Sequence, residues 1–113
     1  MPRYKLVVLT SAVEGRDEEF NDWYQNTHLR DVVDIPGVTS ARRFRMTMPL
    51  KETADGPKPF PYLAIYEVET DDIKSVIDDL NSRAGTERMT LSERLGEKLY
   101  AVVYEDFGAV VSR

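Results

Sequence analysis

Three runs in this sequence carry apolar or aromatic side chains at consecutive positions: Leu6 to Leu9, Tyr62 to Tyr66, and Leu99 to Tyr104. A β-strand points successive side chains to opposite faces of its sheet, so each of these runs is apolar on both faces. An antiparallel strand with one wet face alternates apolar and polar residues instead. A chain made of such strands must cover both sides of its sheet, and this requirement constrains the fold more than any other feature.

Around those runs the elements follow in a simple order. The first strand is expected over Tyr4 to Thr10, the second over Val38 to Met46, the third over Tyr62 to Glu69 and the fourth over Lys98 to Glu105. A first helix starts near Asp17, a plausible N-cap, with Glu18 and Glu19 in its positively polarised first turn. It ends at Pro36-Gly37, because proline pushes Ile35 out of the helical region and glycine permits the sharp exit. Thr70, Asp71 and Asp72 offer caps for a second helix carrying Ile73, Val76, Ile77 and Leu80 at helical spacing and ending before Gly85. Thr90 to Glu93 resembles a capping box and Gly96 a C-terminal stop, which predicts a short extra helix. Met48 to Pro61 holds four of the six prolines and reads as an exposed hairpin loop, long enough to be a lid.

The order β-α-β-β-α-β implies an α+β, ferredoxin-like fold: a four-stranded antiparallel sheet with both helices on one face. The 113 residues suit a single domain spanning 1–113. Both helices are then spent on one face, and the strands demand cover on the other. A second copy of the same sheet is the economical cover, so the chain is expected to be a homodimer packed through its sheet face.

Charge and composition exclude several functions. The net charge of −5 argues against nucleic acid, whose binding rests on a basic surface, and against anionic membranes. With no cysteine, disulfides, thiolate catalysis and cysteine-based zinc sites are out of reach. One histidine cannot build the usual nitrogen-rich metal site, and no Gly-rich phosphate loop occurs, so neither metal nor cofactor is expected. No apolar run approaches the roughly 20 residues of a membrane-spanning helix, and the N-terminal run is too short for a signal peptide. A cytoplasmic location follows as the default.

The first helix carries the chemistry. Phe20, Trp23, Tyr24, Thr27, His28, Asp31 and Val32 fall on one broad face at helical spacing, while Arg16, Glu19, Asn26 and Arg30 mostly point away. A helix made only to pack would use Leu and Ala there. His28, the sole histidine, can take and return a proton near neutral pH. Asp31, three residues on, could accept from one ring nitrogen and fix the tautomer, and Tyr24, one turn back, could hydrogen-bond nearby. The competing reading is a half-buried histidine that ties the helix to a strand carbonyl. Trp23 could wall a pocket for a flat apolar ligand, although Phe20 beside it reads as core. On the third strand Tyr62 and Tyr66 share a face, and Tyr66 is the expected ligand contact. Arg43 is the residue of the second-strand arginine cluster best placed to hold a carboxylate or phenolate, against the alternative of surface salt bridges.

Phe20, Trp23-Tyr24, His28 and Pro36-Gly37 together resemble the signature of EthD-like proteins of the dimeric α+β barrel superfamily. The element order matches along nearly the whole chain, and the matching residues concentrate between Phe20 and Phe44. The resemblance implies that two four-stranded sheets pack into a dimeric α+β barrel. Members of the superfamily serve as cofactor-independent monooxygenases, isomerases, dehydratases, haem enzymes and ligand-sensing domains. The first-helix histidine is suspected of acid–base work in relatives, which carries over to His28. The expectation is a small cofactor-independent enzyme, or an accessory protein, acting on a small apolar or aromatic metabolite by proton transfer at His28. The alternative is a non-catalytic ligand-binding or stress-related module.

Overall fold

The computed structural model describes residues 1–51, 60–92 and 95–113, with Glu97 described by its backbone alone. The chain runs β1 (Arg3–Ala12), α1 (Asp17–Trp23), a π-helical turn (Tyr24–His28), α2 (Leu29–Val33), β2 (Val38–Arg45), β3 (Tyr62–Glu69), α3 (Ile73–Arg83) and β4 (Leu95–Glu105). The strands form one antiparallel sheet in the order β2-β3-β1-β4. This is the α+β, ferredoxin-like β-α-β-β-α-β arrangement that the strand and helix order implied. Most of the loop proposed as a lid, residues 52–59, lies outside the described residues.

The register divides the sheet into two faces. Leu6 lies opposite Tyr66 on one side and Val103 on the other, and Thr10 lies between Tyr62 and Leu99. Directly opposed residues share a face, so β1 turns Leu6, Val8 and Thr10 toward the helices. Tyr62, Ala64, Tyr66 and Val68 join them there and are buried at alternate positions along β3. With Phe20, Tyr24, Leu29, Val32, Ile35 and Val76 they make the core between sheet and helices. Phe20 is fully buried, which stabilises the fold by about 2–3 kcal/mol.

The opposite face carries Val7 and Leu9 of β1, Leu63 and Ile65 of β3, Phe44 of β2, and Tyr100, Val102 and Tyr104 of β4. Phe44 is 41% exposed, Tyr100 54% and Tyr104 58%. The chain thus separates the tyrosines of β3, which point into the core, from those of β4, which stand on the open face.

Three expectations need correction. Asp17 is the first helical residue rather than the cap, which is Arg16 with no side-chain cap bond. The Asp17 carboxylate is engaged elsewhere, accepting a hydrogen bond from the Tyr62 hydroxyl at 2.5 Å. The first helix is also not a uniform α-helix. The Leu29 N–H bonds to the Tyr24 carbonyl, five residues back, and this single π-turn inserts one extra residue. The packed face consequently steps from Tyr24 to Leu29, so Leu29 is buried while Thr27, expected on that face, is exposed. Finally, no extra helix precedes β4 among the described residues. Glu93 of the supposed capping box lies outside them, and Gly96 belongs to the strand. A Cβ at Gly96 would come within 2.5 Å of Ser11 Oγ and 2.7 Å of the Ser11 carbonyl oxygen. Glycine stands there because β4 and β1 approach closely where their register shifts between Thr10 and Ala12.

Candidate functional site

The π-turn decides how the aromatic helix meets the sheet. It buries Tyr24 against β3, where the hydroxyl accepts a hydrogen bond from the Tyr66 hydroxyl at 3.2 Å. It leaves His28 at the end of the widened turn, its ring stacked on Trp23 (centroids 4.8 Å apart, 24° between planes) and perpendicular to Tyr24 at 4.8 Å. Trp23, Tyr24 and His28 form one wall of a cavity of about 410 Å³. Leu6, Val8 and Thr10 of β1 make its floor, with Leu99, Ala101 and Val103 of β4 beside them. Ile77, Leu80, Asn81 and Ala84 of α3, with Met89 and Leu91 after it, close the other side. The walls are overwhelmingly apolar, and the volume falls in the range of sites for small organic molecules.

The polar groups in this cavity are few. Burial disfavours the charged form of His28, and the Arg43 guanidinium adds repulsion, so its pKa drops to about 4. The ring is neutral at physiological pH. Its Nδ1 is enclosed and has no hydrogen-bond partner among the described residues. In the charged ring both nitrogens are donors, and Nδ1 has no acceptor within reach, which agrees with the low pKa. The other ring nitrogen, Nε2, is not among the enclosed, unpartnered atoms of the described residues. Burial also raises the pKa values of Tyr24 and Tyr66, so both are neutral phenols, joined by the bond between their hydroxyls.

Of the residues expected at the site, the structure brings His28, Tyr24, Trp23 and Tyr66 to the cavity wall. Asp31 does not bond to the enclosed Nδ1. Its own pKa is raised by partial burial and by the neighbouring Asp34. Arg43 lies behind Tyr24, away from the cavity, with its guanidinium 4.4 Å from the Tyr24 ring centroid. It donates to Asn21 Oδ1 at 2.8 Å, Asn21 donates to the Tyr62 hydroxyl at 3.1 Å, and Tyr62 donates to Asp17. This chain anchors the start of α1 to β2 and β3 and stacks a cation on the face of Tyr24. Partial burial lowers the pKa of Arg43, which remains charged because guanidinium is so strong a base.

Sequence reasoning missed the role of α3 and of Thr10. The α3 stripe of Ile73, Val76, Ile77 and Leu80 was legible as a packed face, but nothing marked its lower half as a cavity wall. Asn21 and Asp17 gave no signal, since their partners sit 41 and 45 residues away.

No family model matches the chain, and neither does any curated protein. Solved structures do match it over nearly the whole length. An ethyl tert-butyl ether D (EthD) family protein from Bacillus halodurans is 20% identical, with 95% of this chain and 100% of that chain covered and a TM-score of 0.52. A dabb family protein with a ferredoxin-like fold from Mesorhizobium loti is 14% identical, covering 96% and 100%, at a TM-score of 0.60. HapK from Hahella chejuensis is 14% identical, covering 97% and 98%, at 0.56. At these identities the likeness is one of fold: the chain has the α+β fold of the EthD-like and dabb proteins. Among the described residues no helix is long and apolar enough to cross a membrane.

Proposed function

We propose that this chain binds a small, mainly apolar or aromatic metabolite in the cavity between sheet and helices, and that His28 exchanges a proton with it. The observation that carries the reading is a neutral histidine, free of protein hydrogen bonds at Nδ1, stacked on Trp23 in the wall of a 410 Å³ apolar cavity. Buried polar groups are nearly always paired, and one that is not calls for an explanation. Nε2 would accept from a ligand O–H, N–H or activated C–H and later return the proton to the product. The Tyr24 hydroxyl, which accepts from Tyr66 and so keeps its own proton free, would hydrogen-bond the oxygen on which negative charge develops. No cofactor is needed for this step. A pKa near 4 makes His28 a weak base, so the reading favours substrates whose proton is already acidic.

The second reading is a ligand-binding module without turnover. It is favoured by the lack of an orienting partner on Nδ1, since a histidine base is usually held by a carboxylate or carbonyl on its second nitrogen. In either case we propose that the protein works as a homodimer, because the apolar face opposite the helices is left uncovered by one copy.

The test is a proton NMR titration of the single histidine with a panel of small phenols and fused-ring aromatics, alongside turnover assays. We expect the His28 ring signals to move on ligand addition and His28→Gln to abolish turnover. Unchanged binding and turnover in His28→Gln would refute a role for the ring. Shifted signals with no turnover of any panel member would leave the binding module as the answer.

A further inference from the structure

From the two ends of the cavity we infer that Thr10 is a specificity-determining residue, selecting an elongated ligand with a polar group at each end. The inference rests on the cavity being a ligand site, as proposed above. Thr10 is 3% exposed and lines the cavity. Its hydroxyl has no hydrogen-bond partner among the described residues, and it does not belong with the enclosed, unsatisfied atoms. A hydroxyl without a protein partner, on a nearly buried residue that lines an apolar cavity, is costly unless water or a ligand in that cavity bonds to it. Valine would fill the same place on the strand without that cost.

The register places Thr10 further along the strand than the Tyr66 position that Tyr24 reaches. Tyr24, which His28 abuts, bonds to Tyr66, and Tyr66 is the strand partner of Leu6. Thr10 stands four residues further along β1 than Leu6, opposite Tyr62 and Leu99, and four residues of strand span roughly 13 Å at about 3.3 Å per residue. The floor between them is Leu6 and Val8, with Ala101 and Leu99 alongside. A single ring could reach one polar end. Two or more fused rings, or an equivalent flat length, carrying hydroxyl or carbonyl groups on opposite ends would reach both. Such a molecule would hydrogen-bond to His28 at one end, to Thr10 at the other, and meet only carbon between.

The test compares 2,6-dihydroxynaphthalene with 2-naphthol by isothermal titration calorimetry on the full chain. The wild type should bind the diol about five- to tenfold more tightly, the effect of one added hydrogen bond. Thr10→Val should reduce that advantage to less than twofold while leaving 2-naphthol affinity unchanged. Thr10→Ser, which keeps the hydroxyl, should retain it. Thr10→Val should melt no lower than the wild type, because the hydroxyl has no partner in the protein to lose and valine removes the cost of leaving it unpaired, and Thr10→Ser should stay folded at the same temperature within a few degrees. If 2-naphthol binds but the diol gains nothing, or if Thr10→Val keeps the gain, the inference is wrong and the ligand site stands. If neither compound binds the folded wild type, the ligand site and the inference fall together.

Discussion

At the scale of single residues, His28 is set by its surroundings rather than by its type. A free histidine titrates near 6.5, and here burial together with Arg43 holds it at about 4. The sign of the consequence follows from proton linkage. Between pH 6.5 and 4 the unfolded chain binds a proton at this residue that the folded chain does not, so stability falls as pH falls through that window and levels off below it. The loss from this residue is about 3 kcal/mol, from a shift of roughly two and a half units at 1.36 kcal/mol each. Urea unfolding of wild type and His28→Gln at several pH values would measure it. We expect the wild type to lose stability faster between pH 6.5 and 4.5, the carboxylate contributions being common to both. Parallel curves would mean that the ring is protonated in the folded state after all. Arg43 is half-buried, with its guanidinium on the face of Tyr24 and a hydrogen bond to Asn21.

At the scale of elements, the helix and strand boundaries were largely readable, and the exceptions have local causes. β3 spans the expected Tyr62 to Glu69, because alternate burial and β-branched or aromatic residues agree there. α3 begins where the Asp72 carboxylate accepts from the Ser75 N–H. The π-turn could not be read, since a sequence pattern at 3.6 residues per turn assumes that no residue is inserted. The Tyr24–Leu29 spacing, correct for a π-turn, looks like a flaw in an α-helical stripe. Gly96 was misread for a related reason. A glycine reads as a helix stop by default, whereas here it makes room for Ser11 of a strand more than 80 residues earlier in the chain. Gly96→Ala tests this. The added Cβ would meet backbone as well as side chain, so β1 and β4 must shift apart, and we expect a destabilisation of about 2 kcal/mol in urea unfolding. A loss below half of that would show that the strands adjust freely at the register shift.

At the scale of the whole molecule, the uncovered sheet face makes the strongest demand. Phe44, Tyr100 and Tyr104 stand exposed on the same face as Val7, Leu9, Leu63 and Ile65, with Arg42 and the Lys5–Glu67 pair among them, on a chain with a net charge of −5. Two copies packed through this face would bury it. Phe44→Glu places a charge within that surface at a position already open to solvent in one copy, so the fold should survive while association weakens at least tenfold. Light scattering across micromolar concentrations would measure this, and a wild type that is monomeric throughout would refute dimerisation. The sequence by itself determined the sheet, the order of its elements, the need for cover on both faces and the concentration of aromatic residues around the single histidine. All of these follow from periodicity and local chemistry, which act over a few residues. Only the tertiary structure decided that Thr10 shares a cavity with His28, that Arg43 lies behind Tyr24, and that Asn21 and Asp17 are tied to strands 22 and 45 residues away. Those pairings depend on strand register and on one inserted helical residue, and both are set by the packing of the entire core.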